Sequence, residues 1–85
     1  MVYRVILSGK VQKQIGALPR STWTRIRSVI DGLEINPRRH GAIKIKGTAD
    51  TWRIRAGVYR ILYTIEDDRL VVLVLKVGHR REVYR

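Results

Sequence analysis

Apolar residues in the first part of the chain form one strand-like run and then follow a helical period. Val2–Leu7 consists of β-branched, aromatic and long apolar residues with one arginine, which is typical of a strand. Ser8 is a favourable N-cap residue, so we predict that a first helix begins there and ends before Pro19. Its buried stripe would contain the apolar residues at i, i+4 and i+7: Val11, Ile15 and Leu18.

A second amphipathic helix is predicted after Pro19. Ser21 can cap this helix, and Asn36-Pro37 would end it. Because only a short turn separates the two helices, they should pack as an antiparallel hairpin whose apolar side needs a sheet to cover it. The apolar stripe of the second helix contains Trp23, Ile26, Val29, Ile30 and Leu33.

The second half of the chain changes to a period of two, as strands do. Thr51–Ala56 alternates strictly, and Ala56 and Gly57 are typical of a tight turn that leads into a second strand, Val58–Ile65. We therefore expect a β-hairpin. Residues 37–50, which precede it, predict a loop with room for a short strand around Ala42–Lys46.

The last apolar run predicts a strand in the middle of the sheet. Leu70–Val77 is almost continuously apolar; a polar turn at Glu66–Arg69 precedes it, and Gly78 is expected to end it. The predicted class is α+β: an N-terminal strand, an antiparallel two-helix hairpin and a three-stranded antiparallel meander in one mostly antiparallel sheet. A chain of 85 residues has room for one domain, residues 1–85.

Alternation in the hairpin also predicts which side chains share a face. Arg53, Arg55 and Arg60 fall opposite the apolar set by parity, so they should lie on the sheet face that the helices leave open. With Ala56 and Gly57 as turn residues, Arg53 would face Arg60, their Cβ atoms about 5 Å apart, where like charges are destabilising. The apolar set for the helix side is Trp52, Ile54, Tyr59, Ile61, Tyr63 and Ile65.

The net charge of the chain bears on how this arginine cluster is interpreted. The chain carries 18 Lys and Arg against 7 Asp and Glu, a formal charge of +11, while 45% of its residues are hydrophobic. That hydrophobic content supports a folded core, so the charge does not signal a disordered basic tail. The excess indicates a polyanion, and we interpret the three arginines as an RNA or DNA surface. The alternative is that they only solvate an exposed sheet face.

A second cationic cluster follows the last predicted strand, at residues 79–85. It combines an imidazole, three arginines and a tyrosine, which can move protons, bind phosphate and stack on a base. Arg80 and Tyr84 are the functional candidates, whereas Arg81 and Arg85 are either a basic tail or additional RNA contacts. The predicted RNA-binding set is Lys44, Lys46, His79, Arg81 and Arg85.

Several other chemistries lack the residues that they need. With no cysteine and two histidines the chain has neither disulfides nor a conventional zinc site, and no phosphate-binding or hydrolase motif occurs. We expect no cofactor and no metal. Neither a signal peptide nor an apolar run near the ~20 residues of a membrane span is present, so we expect a cytoplasmic protein.

Cations without a metal can still support RNA cleavage. The 2′-OH of RNA attacks the adjacent phosphate if a base takes its proton, a cation stabilises the phosphorane and an acid protonates the leaving oxygen. Arg53, Arg55, Arg60 and Arg80 can supply the positive charge. The base is the unassigned group, because a guanidinium with a pKa above ~12 rarely loses its proton. His79 or a group on a partner would then be needed.

Three stretches of the chain form a recognisable set: Lys46-Gly47 followed by Trp52–Arg55, then Tyr59–Tyr63, and finally Val77–Tyr84. With this set the chain resembles the RelE toxins of the RelE/ParE superfamily, the toxin halves of prokaryotic toxin–antitoxin modules. The resemblance covers nearly the whole chain. It implies a metal-independent endoribonuclease that enters the ribosomal A site and cuts the translated mRNA, until a RelB-like antitoxin with an acidic or amphipathic segment neutralises it.

The resemblance also implies roles for single residues. Arg53 and Arg55 occupy positions where RelE-like toxins carry basic residues, often lysine, beneath the scissile phosphate. Arg60 matches the arginine that stabilises the transition state, Arg80 the arginine that assists the leaving group, and Tyr84 the tyrosine that stacks on the mRNA. Arginine in place of lysine leaves the general base open.

Two other functions fit the same fold or charge. A ParE-like toxin would inhibit DNA gyrase by binding and would need no catalytic cluster. A non-enzymatic RNA-binding module would bind with a strong salt dependence and leave RNA intact.

Overall fold

The computed structural model of the protein describes residues 2–79, which form two helices and five strands. In chain order the elements are β1 (Arg4–Leu7), α1 (Gly9–Gly16), α2 (Arg20–Ile35), β2 (Ile43–Lys44), β3 (Thr51–Ala56), β4 (Tyr59–Glu66) and β5 (Val71–His79). The strands form one sheet in the order β1-β5-β4-β3-β2. Neighbours are antiparallel except β1 and β5, which are parallel. The predicted α+β class is confirmed, and β2 adds a fifth strand in the predicted loop.

The predicted cap of α1 is present. The Ser8 hydroxyl accepts a hydrogen bond from the Val11 backbone N–H at 3.2 Å, which satisfies one of the donors that a helix start leaves free. The helix ends at Gly16, one turn before Pro19.

The prediction that Ser21 caps α2 is wrong, because Ser21 lies inside the helix, which begins at Arg20. Pro19 occupies the N-cap position with extended backbone angles, and its carbonyl accepts the first helical hydrogen bond from the Trp23 N–H at 3.0 Å. A proline lacks a backbone N–H, and this position needs none, so Pro19 starts the second helix. The helix ends at Ile35, before Asn36-Pro37, as predicted.

The predicted turn of the β3–β4 hairpin is also wrong by one residue. Gly57 and Val58 form the turn, and Gly57 adopts a left-handed φ of 64°, which a two-residue hairpin turn requires at its first position. Arg55 therefore lies opposite Arg60, and Arg53 lies opposite Leu62. Moving the turn by one residue shifts the pairing by two, so the faces that parity predicted are kept.

Gly78 does not end the last strand, contrary to the prediction. β5 continues to His79, and Gly78 pairs with Arg60 of β4. The strand is central as predicted, since it is hydrogen-bonded to β1 on one side and β4 on the other.

One face of the sheet and the apolar stripes of both helices form the core. α1 packs against β5, and α2 packs against β1 and β3. Each fully buried aliphatic side chain contributes about 1.5–3 kcal/mol, which offsets the ordering of the chain. The helices supply Val11, Ile26, Ile30 and Leu33, and the sheet supplies chiefly Ile54, Ile61, Tyr63, Ile65, Val72, Val74 and Val77. Within residues 2–79, neither helix has the length and hydropathy to span a lipid bilayer.

Candidate nucleic-acid interface

Strand pairing brings the predicted hairpin arginines together on the sheet face turned away from the helices, here named the arginine face. Residues that lie opposite one another in neighbouring strands share a face, and Arg55, Arg60 and Gly78 form one such row across β3, β4 and β5. A second row contains Arg53, Leu62 and Lys76. The arginine face is therefore defined by Arg53, Arg55, Arg60 and Lys76.

Arg60 is the most unusual of these residues, because it is a buried cation. Its side chain is only 8% exposed, and its Nε has no hydrogen-bond partner within the described residues. An unsatisfied buried donor costs about 1–3 kcal/mol, and more when the group is charged. Gly78, opposite Arg60, has no side chain that could occupy this part of the face. The site thus holds a donor without an acceptor.

Arg55 adds a like charge directly opposite Arg60. The two residues are a cross-strand pair, and Arg55 is exposed. Neither forms an ion pair with an acidic residue in the part of the chain that the structure describes, 2–79. Two adjacent guanidinium groups repel each other unless an anion lies between them, so this pair is suited to bind a phosphate.

Sequence reasoning missed Lys76. Lys76 lies within the apolar run that predicts β5, and its pairing with Leu62 places it on the arginine face. The sequence does contain a signal for this residue: Lys76 is the one charged residue between Leu70 and Val77, and the other residues of that run are apolar. A lone charge in such a strand marks the face that the core does not use.

His79 lies away from the arginines. It pairs with Tyr59, which shares the helix side of the sheet, and the two rings meet edge to face with their centroids 6.0 Å apart. His79 also borders a cavity with Gln14 and Leu18 of the α1 region. The register therefore puts the one predicted imidazole on the face opposite Arg60.

The other predicted site residues fall in two places. Lys44 pairs with Trp52 at the sheet edge, so its strand position belongs to the helix side, and Lys46 is exposed in the loop that follows β2. The remaining four predicted residues lie outside the described residues: Arg80, Arg81, Tyr84 and Arg85.

A different arginine, Arg38, holds the loop between α2 and β2. Its guanidinium donates two hydrogen bonds to the Asp67 carboxylate, at 3.0 and 2.8 Å, and the Tyr3 hydroxyl donates a third at 2.7 Å. The same guanidinium lies 5.6 Å from the centre of the Trp52 ring. These four residues, the Arg38 clamp, tie the loop to the N-terminal segment, β3 and the β4–β5 turn.

Electrostatics of the clamp follow from these contacts. The hydrogen bonds from Arg38 and then from Tyr3 lower the pKa of Asp67 to about 2, because they stabilise the carboxylate. Conversely, the hydrogen bond to Asp67 raises the pKa of Tyr3. Tyr63 supports the same loop from inside the core: its hydroxyl donates to the Pro37 carbonyl at 2.6 Å, and burial raises its pKa to about 12.

Comparison with known proteins gives consistent results. Residues 5–84 match the family model described as the ParE toxin of the type II toxin–antitoxin system parDE. The chain is 31% identical to toxin RelG of Mycobacterium tuberculosis, over 100% of this chain and 99% of that toxin.

Two solved structures extend this likeness to the fold. The archaeal RelE–RelB complex from Pyrococcus horikoshii matches with a TM-score of 0.84 and 32% identity, over 98% of this chain and 100% of the matched chain. The RelBE2 toxin–antitoxin complex from Mycobacterium tuberculosis matches with a TM-score of 0.83 and 26% identity, over 94% and 100%.

Proposed function

Since the chain belongs to the RelE/ParE family of type II toxin–antitoxin toxins, we propose that it is an endoribonuclease that cuts mRNA on the ribosome. The reaction is attack by a 2′-OH on the adjacent phosphate, with the 5′-oxygen as leaving group and no metal ion. The observation that carries the proposal is the Arg55–Arg60 pair, in which a buried guanidinium lacks an acceptor beside a second positive charge.

Arg60 is the residue proposed to stabilise the transition state. A phosphorane oxygen carries more negative charge than the ground-state phosphate, so a preorganised donor in a partly desolvated place favours the transition state. Because the Arg60 Nε has no hydrogen-bond partner among the described residues, no existing hydrogen bond has to break when it turns to the developing charge. Removal of one such donor typically lowers the rate about 10²–10³-fold.

The neighbouring cations are proposed to hold the RNA. Arg53 and Arg55 would orient the scissile phosphate, and Lys76 would bind the backbone from β5. The resemblance to RelE adds Arg80 as the residue that assists the leaving group and Tyr84 as a stacking partner. His79 is not assigned as the base, since it lies on the helix side. The base then comes from the C-terminal segment or from the ribosome.

An antitoxin is the proposed protein partner. Two of the similar structures are toxin–antitoxin complexes, RelE–RelB and RelBE2. A formal charge of +11 suits an acidic or amphipathic antitoxin segment that covers the arginine face.

The experiment combines purified protein with translating ribosomes and maps the mRNA ends. We expect new ends bearing 2′,3′-cyclic phosphates, the product of 2′-OH attack, formed only while ribosomes occupy the message. If the mRNA stays intact in this assay, the proposed nuclease activity is wrong.

A second candidate, gyrase inhibition, is favoured by one observation: the matching family model carries the ParE description. A supercoiling assay beside the ribosome assay separates the two. Gyrase inhibition with intact mRNA would establish the second candidate, whereas a protein that binds RNA and affects neither assay is a non-enzymatic RNA-binding module.

A further inference from the structure

A cleft lies at the edge of β3, next to the first residue of β2. β2 pairs with β3 only as far as Ile43 opposite Arg53, so the chain before Ile43 diverges from β3 and leaves a gap. The gap is a cavity of about 330 Å³. This volume lies within the range of small-molecule pockets, about 300–1,000 Å³.

The walls of the cleft combine positive charge with apolar surface. Its lining includes the basic side chains of Arg39, His40, Arg53 and Arg55 and the apolar side chains of Val29 and Ile43. No acidic residue is among the described residues that line it. A nucleotide has the same two parts, an anionic phosphate and a flat base with low polarity on its faces.

The Arg39 side chain lies against α2, and the backbone turn that carries it is closed by hydrogen bonds. Its guanidinium lies over Gly32 of α2, so close that a Cβ on residue 32 would overlap with it. The Arg39 carbonyl accepts a hydrogen bond from the Ala42 N–H at 2.9 Å, which closes the turn that carries His40. The Arg38 clamp anchors the residue before it. This preorganisation lowers the entropic cost of binding.

We propose that this cleft binds one nucleotide of the RNA, next to the linkage that the arginine face holds, with its phosphate on Arg39. The inference rests on the proposed function for the identity of the RNA as substrate. Arg53 and Arg55 belong to both places, so an RNA strand that crosses the arginine face towards β2 enters the cleft directly.

The test measures binding of a short single-stranded RNA whose riboses are 2′-O-methylated, so that cleavage cannot interfere. Arg39→Gln should raise the Kd about fivefold at ~100 mM salt. It should also reduce the slope of log K against log salt by about 0.7, the loss of one phosphate contact on a single strand. Fluorescence anisotropy over a salt series gives both values.

A matched control removes the same charge from another side of α2. Arg27 is exposed, forms an ion pair with Asp31 at 3.9 Å and borders a different cavity, towards β1. Arg27→Gln should change the Kd less than about twofold and leave the salt slope unaltered.

A second variant moves Arg39 without removing its charge. Gly32→Ala should displace the guanidinium and weaken RNA binding about threefold, while the Tm stays the same or rises because alanine favours a helix interior over glycine. Weaker binding with an unchanged net charge would show that the position of Arg39 matters.

If Arg39→Gln and Arg27→Gln bind the RNA with equal affinity and equal salt slope, the proposal that the cleft binds a nucleotide is wrong. Loss of affinity for an acidic antitoxin peptide, with RNA binding intact, would also overturn it and assign the cleft to protein. The two proposals fail separately. If mRNA on ribosomes stays intact but Arg39→Gln weakens RNA binding, the proposed nuclease activity is wrong and the proposed nucleotide site is supported. If mRNA is cleaved but Arg39→Gln leaves RNA binding unchanged, the nuclease activity is supported and the nucleotide site is wrong.

Discussion

Arg60 and Arg38 are guanidinium groups in opposite surroundings. Arg38 is half-exposed, yet two of its nitrogens bind a carboxylate and its plane lies over a tryptophan ring. Arg60 is buried, and its Nε has no partner among the described residues. A fold that needed Arg60 only for stability would pair it as Arg38 is paired. The difference shows that Arg38 ties segments of the fold together, and it supports the proposed role of Arg60 in binding a phosphate.

The largest effect is expected at Arg60, where a substitution should lower activity without lowering stability. Arg60→Met should lower mRNA cleavage on ribosomes at least about 100-fold. Its Tm should stay the same or rise, because an apolar side chain replaces a buried charge that lacks a full set of partners. Quantified mRNA ends and thermal unfolding measure the two effects. Arg69→Met, at an exposed cation of the β4–β5 turn, is the control. Cleavage that survives Arg60→Met would remove the central role of this residue.

Arg38→Met is expected to have the reverse effect, a loss of stability with most of the cleavage activity kept. Loss of the carboxylate pair and of the contact with Trp52 should lower the Tm by about 5 °C. Cleavage should fall only several-fold, because Arg38 does not belong to the arginine face. Thermal unfolding and the ribosome assay together check this result. A variant with unchanged Tm and no cleavage would reverse the roles assigned to the two arginines.

The clamp should also weaken at low pH. Asp67 has a pKa of about 2 in the folded protein, below the ordinary aspartate value of 3.8, so its ionised form stabilises the fold. For a lowered pKa, this contribution is complete above the unfolded value and is lost as pH falls from about 4 to about 2. The Tm difference between the wild type and Asp67→Asn should therefore shrink over that window. A constant difference would show that the Asp67 charge does not stabilise the fold.

The smallest effect tests the pairing on the arginine face. Arg55→Gln should raise the free energy of unfolding by a few tenths of a kcal/mol, because it relieves the repulsion between Arg55 and Arg60. Arg53→Gln should give no such gain, since Arg53 faces Leu62. Urea denaturation of the two variants decides between them. A gain for Arg53→Gln alone would support the pairing that the sequence predicted.

Local patterns predicted most of the fold, and the errors have physical causes. The period of two assigned Arg53, Arg55 and Arg60 to one face correctly, because a two-residue shift in pairing preserves faces. The turn itself was misplaced, since composition does not tell which residue next to Gly57 completes it. Gly78 was read as a strand end, although in this sheet a glycine pairs with a bulky arginine.

The Arg38 clamp could not be predicted from any local pattern. Tyr3, Arg38 and Asp67 come from three segments that meet only after the sheet has formed. Each residue alone looks like ordinary polar surface. Lys76 was overlooked for a related reason: a single charge in an apolar run becomes informative only when its pairing partner is known.

The parallel pairing of β1 with β5 also affects the order of events during synthesis. Arg4 pairs with Val71, so β1, the first strand to leave the ribosome, has to wait for β5, the last strand of the described residues. Such distant pairings slow folding. The nascent chain therefore cannot complete its sheet, or the row in which Gly78 faces Arg60, until the codons of β5 have been translated.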